Sequence, residues 1–231
     1  MLAYKAWLES RVRFSVSALA LSWLSTVYVV WQPARADAQP PVSYQTYVSH
    51  AIYDSVLLQL FAGSVVVLGL GGLLQEKARG TAGFTLALPL SRARHVAARA
   101  AVGLIETGAL ALLPAAVVCG GSPLVGESYP LARALHFFVL WAGAGSVVFA
   151  GALLVSTIVA GEYSAPVVCF AALFVYLAIV NLPPLDRFPS LNPFAVMSLR
   201  GPVPWLALSG MMLAALGLLA IGRAATERQE F

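Results

Sequence analysis

A chain of 231 residues that is 60% hydrophobic and only 10% charged is excluded from the soluble globular class, where about a quarter of residues are charged. The bilayer is the natural solvent for it, and helices packed in lipid at this length share one bundle, so residues 1–231 read as a single transmembrane domain. The formal net charge of +4 reports the sidedness of loops rather than a nucleic-acid partner, and Cys119 and Cys169 sit in apolar runs with no metal-ligand or redox spacing.

In chain order, residues 2–13 come first and read as an amphipathic interfacial helix. Tyr4, Trp7, Leu8 and Val12 share one face, while Lys5, Glu9 and Arg13 are four apart on another and can pair. A first span over 14–31 follows, and the chain turns into it from the interfacial helix. Ala34-Arg35-Ala36 beyond it looks like a signal-peptidase site. The preceding apolar run of 18 residues exceeds the usual 7–15 of a signal peptide, and Trp7 and Glu9 give the leader a pattern of its own, so the span is expected to be retained. Further spans are expected over 55–75, 97–119, 134–160, 163–182 and 204–222, each a stretch of about 20 mostly apolar residues. These runs are helices rather than barrel strands, because they do not alternate.

The six spans put both termini on one side. Ten basic residues lie on that side, in residues 5–13, 77–99 and 223–228, against Arg35, Arg133, Arg187 and Arg200 on the other. The positive-inside rule makes the ten-residue side cytoplasmic. Trp31 and Trp205 then mark the outer interface and Tyr163 the inner one.

Three segments are neither plain spans nor plain loops. The connection from Glu76 to Arg99 holds half of the cytoplasmic basic residues. In it Gly80-Thr81 opens a short stretch, Phe84, Leu86 and Leu88 give it an apolar face, Pro89 stops it and Ser91 is placed to cap the next helix. A short apolar-faced helix rimmed with arginine suits lipid headgroups or a groove on a partner. Residues 183–204 hold six prolines but also Phe188, Leu191, Phe194, Val196, Met197 and Leu199. This is either a re-entrant element covered by protein or a proline-rigid loop lying on the bilayer. In the fourth span Ala142, Ser146 and Ala150, with Gly143 and Gly151, allow close helix approach, within the bundle or between two copies.

The sequence offers no catalytic residue and no metal site. It has no phosphate-binding loop: the only lysines are Lys5 and Lys77, and Gly69, Gly71 and Gly72 lie in an apolar span as packing glycines. His50, His95 and His136 stand far apart, and neither a His-Glu-x-x-His nor a Gly-x-Ser-x-Gly motif occurs. Glu106 is the one acid deep in a span; it belongs on the bundle interior, either hydrogen-bonded to a neighbouring helix or serving a proton or cation relay. Asp54 opens the second span near the outer surface.

This layout resembles the permease subunit of the type-2 ATP-binding-cassette exporters. That family has an N-terminal interfacial elbow helix, six spans, a cytoplasmic coupling helix between spans two and three, and a short outer-face element before span six. The resemblance covers essentially the whole chain and is most specific over Glu76–Arg92, where Glu76, Gly80, Thr81, Leu86, Leu88, Pro89, Ser91 and Arg92 fall on the family pattern. Ala82 and Gly83 depart from it, since an acidic or bulkier residue is commoner there. The resemblance implies a transport subunit of a bacterial cytoplasmic (inner) membrane, without enzyme activity or a cofactor of its own. ATP and magnesium belong to a separate ATPase subunit, and two permease chains, identical or different, assemble with two ATPase chains. Glu76, Arg79, Gly80, Thr81, Phe84, Leu88, Pro89 and Arg92 would form the docking segment, with Phe84 and Leu88 as anchors and Arg79 and Arg92 at the rim. Two other classes fit the residues: an ion- or proton-coupled carrier built on Glu106, and a membrane assembly factor that transports nothing.

Overall fold

The computed structural model describes residues 2–32, 42–71, 92–159, 163–180 and 192–228, and every regular element among them is helical. The helices are α1 (Leu2–Trp31), α2 (Tyr44–Ala51), α3 (Val56–Gly69), α4 (Arg92–Gly121), α5 (Leu131–Ile158), α6 (Ser164–Val180), α7 (Pro193–Met197) and α8 (Trp205–Arg228), with a 3-10 turn over Ser122–Val125. Five stretches are long and apolar enough to cross a bilayer: α1, Tyr44–Gly69, Ala93–Val125, α5 and α8. The chain is therefore a helical, multi-pass membrane protein. α6 is also apolar but has 17 residues, about 26 Å at 1.5 Å per residue, at the lower limit for spanning a core of about 30 Å.

On the peripheral helices α1 and α8 many large apolar side chains face outward. Along α1 the buried positions are Ser10, Ser17, Leu21, Ser25 and Val29, while Val12, Val16, Leu19 and Trp23 are exposed. Small polar residues face the bundle and large apolar ones face outward, as lipid requires, because no hydrophobic force separates leucine from lipid tails. On α8, Leu208, Met211, Ala215, Gly222 and Thr226 form one narrow buried stripe, and the exposed positions include Leu206, Leu213, Leu216 and Ile221.

α5 is the hub, packing against α3, α4, α6, α7 and α8. Its core is aromatic: Phe137 stacks on Tyr53 at 4.0 Å, Trp141 lies 4.7 Å from Phe61, and all four rings are fully enclosed. A side chain at Gly143 would meet Leu208, and Ser146 reaches the Met212 sulfur at 3.4 Å, so these small residues seat α8 within the bundle. Gly69 likewise lets α3 cross α5 closely, since a Cβ there would lie 2.6 Å from Ala152 Cβ.

Several sequence expectations need revision. The interfacial segment 2–13 and the first span form one continuous helix over residues 2–31, with no glycine or proline in it. Tyr4, Trp7 and Leu8 are exposed on its first turns. The expected outer loop contains α2, capped by Ser43, whose hydroxyl accepts from the Thr46 amide at 3.3 Å. α2 packs at the end of the bundle that carries Trp31, with Tyr47 donating to the Tyr28 carbonyl at 3.0 Å and Tyr44 bonded to Ser122 at 2.8 Å. α3 ends at Gly69, earlier than the expected 75, and α8 runs on to Arg228. Within 183–204 the described part forms α7, capped by Asn192, with Phe194, Val196 and Met197 buried. Protein covers this element, with α5 against it.

Candidate functional site

The polar groups of α1, α4 and α5 converge at the bundle end opposite Trp31, where α3 stops. A helix leaves its last carbonyls without partners, and α3 ends inside the protein, so its carbonyls must be met by side chains. Arg13 of α1 and Arg99 of α4 both donate to the Leu70 carbonyl. Ser156 of α5 donates to the Gly71 carbonyl at 2.8 Å and lies 3.2 Å from that of Gly69. Two guanidinium groups at a helix C-terminus also complement its dipole. The chain leaves α3 through Gly71 with φ +123°, where a Cβ would lie 2.0 Å from the Arg99 guanidinium, so a glycine is required both for the turn and for the arginine's approach.

Glu9 completes the rim. It pairs with Lys5 at 3.4 Å along α1 and with Arg99 at 3.4 Å across to α4. Arg13, four residues on, is turned to the end of α3. Lys5 and Glu9 are about a third exposed, so these pairs contribute at most about 1 kcal/mol each and mainly fix the geometry of Arg99.

Glu106 lies about two helical turns deeper on α4 and is only 3% exposed. Ser10 of α1 donates to its Oε1, while Oε2 is buried with no hydrogen-bond partner among the described residues. Of the readings offered by the sequence, the interhelical hydrogen bond is present. The bare oxygen is a second feature, since a buried polar atom without a partner costs about 1–3 kcal/mol. The site can therefore do two things chemically: hold α1, α3 and α4 together through charged hydrogen bonds, and offer one enclosed carboxyl oxygen to a proton or a small cation.

The expected docking residues Glu76, Arg79, Gly80, Thr81, Phe84, Leu88 and Pro89 lie outside the described residues, and Arg92 is the first residue of α4. The structure brings the two flanks of that segment together, because Arg99 after it holds Leu70 before it. Sequence reasoning found Glu106 but missed Ser10, Arg13, Leu70 and Ser156. Ser10 lies 96 residues from Glu106, and Arg13 binds a backbone carbonyl that no side-chain pattern signals. It also missed a cluster at the opposite end, where Arg200 binds Asp54 at 2.9 Å. The i,i+4 spacing of His50 and Asp54 was the only local sign of that cluster. Both cysteines are free, and no group of three potential metal ligands occurs among the described residues. No family model matches the sequence, and no curated protein matches it.

Proposed function

We propose that this chain is the membrane-spanning permease subunit of an ATP-driven exporter, coupled through residues 76–92 to a separate ATPase subunit. The observation that carries this reading is the Arg99–Leu70 bond. It joins the helix entering the docking segment to the helix leaving it, and Arg13 adds α1 to the same carbonyl. Force applied to the segment would then reach three helices together. In this reading α6 is the fifth of six crossings, both termini are cytoplasmic in a bacterial inner membrane, and a second permease chain completes the pathway. ATP and magnesium sit on the partner, and this chain has no enzymatic role. Co-purification with the cognate ATPase tests the docking. Phe84→Asp is expected to abolish capture while the permease still reaches the membrane, and undiminished capture would show that Phe84 is not an anchor.

A second reading, a carrier moving protons or cations by way of Glu106, is favoured by the partnerless Oε2. Transport measured with Glu106→Gln separates the two. The exporter reading expects ATP-dependent transport to persist in the variant, and the carrier reading expects proton- or cation-coupled transport, measured without any ATPase, to be lost.

A further inference from the structure

A cavity of about 340 Å³ opens at the Trp31 end of the bundle, lined by Thr46, Ser49, Arg133, His136, Phe137 and Arg200. That volume is at the small end of the range for ligand pockets, about 300–1,000 Å³. Three separate elements build it. Thr46 and Ser49 are three apart on α2, Arg133 and His136 are three apart on α5, and Arg200 follows α7, so each helix contributes one face. The floor is fixed, because Phe137 is stacked on the enclosed Tyr53.

The lining is charged in one sense. Among the described residues it contains two guanidinium groups and no acid. Arg200 is held by Asp54 at 2.9 Å and by the His50 ring nitrogens at 2.7 Å, but the hydrogen-bonded side chain on Arg133 is the neutral Gln45, at 3.0 Å. Among the described residues Arg133 therefore faces the cavity with no acid bonded to it, while the Ser49 hydroxyl donates to the Gln45 carbonyl at 2.7 Å and the Thr46 hydroxyl is bonded to that of Ser43 at 2.8 Å. His136 is held in place by Nε2, which donates to the Leu199 carbonyl at 2.9 Å. Arginine forks bind phosphate-class oxyanions bidentately, in preference to neutral groups. The cavity also sits at the right depth for one source of such groups. Trp31 and Trp205, 75% and 69% exposed, lie at this end of the bundle, and exposed tryptophans mark the headgroup layer.

We infer that this cavity binds a phosphate-class oxyanion, with Arg133 as its principal cationic ligand and Arg200, already held by Asp54 and His50, at its edge. A lipid headgroup and a free phosphate share that chemistry. The full-length chain, purified in an uncharged detergent, is titrated with dihexanoyl-phosphatidylglycerol, with inorganic phosphate and with dioctanoylglycerol, and binding is read from the rise in thermal midpoint. Phosphatidylglycerol is expected to bind, with Arg133→Gln weakening it about tenfold or more and Arg133→Lys weakening it less. Arg133 is exposed and on the surface of α5, so the variant is expected to fold and melt as the parent does without ligand. Binding of phosphatidylglycerol but not of phosphate supports the site with a lipid as its source, and binding of both supports it with a free oxyanion as sufficient. The inference is overturned if neither binds, if dioctanoylglycerol binds as tightly as phosphatidylglycerol, or if Arg133→Gln changes the affinity by less than about twofold.

Discussion

Gly71 shows how a single position holds the inner polar cluster together. Its φ of +123° is unfavourable for any residue with a Cβ, and that Cβ would also overlap the Arg99 guanidinium. Gly71→Ala is therefore expected to destabilise the protein by about 1–3 kcal/mol and to displace Arg99 from Leu70. Denaturation of the purified variant in mixed detergent micelles measures the first effect. A parental midpoint would mean that the backbone there tolerates a side chain. The glycine was visible in the sequence, where it read as a packing glycine. Its positive φ was not, because Gly69 does pack and nothing local distinguishes the two. Glu106 was legible at this scale, since a charge inside an apolar run stands out. Its partner Ser10 was not, because a serine near a helix start has many ordinary roles.

Helices were legible wherever composition alone decides them. Apolar runs of span length need all their backbone hydrogen bonds made internally, so α4, α5 and α8 fall within a few residues of where the sequence put them. α2 escaped notice because eight residues holding two tyrosines, a histidine and a serine give no span signal. The continuity of α1 escaped notice for the opposite reason: its charged and apolar parts differ in composition, yet no residue in it breaks a helix. The crossing of α3 and α5 makes a quantitative prediction. A side chain at Gly69 meets the backbone of α5, with Phe149 O at 3.0 Å and Leu153 N at 3.1 Å, and backbone cannot rotate away. Gly69→Val is expected to destabilise by about 1–3 kcal/mol through overpacking. Gly217→Ala, where open space surrounds the new methyl group, is the neutral control. Equal melting of the two variants would mean that α3 and α5 do not meet as closely as described.

For the molecule as a whole, membrane residence followed from composition, and the structure bears it out with five crossing-length helices. The candidate site was less legible, because it depends on where helices meet. Arg13, Arg99 and Ser156 serve backbone carbonyls at the end of α3, and such partners leave no mark in a one-dimensional pattern. The serine-lined inner face of α1 has a consequence for how the protein is made. Ser10 is synthesised 96 residues before the acid it binds. When Glu106 emerges from the translocation machinery, a hydroxyl is already waiting in the bilayer to receive it. Biogenesis thus delivers the donor ahead of the acceptor, and a chain lacking its first helix would carry the carboxyl into lipid without the hydroxyl that meets Oε1.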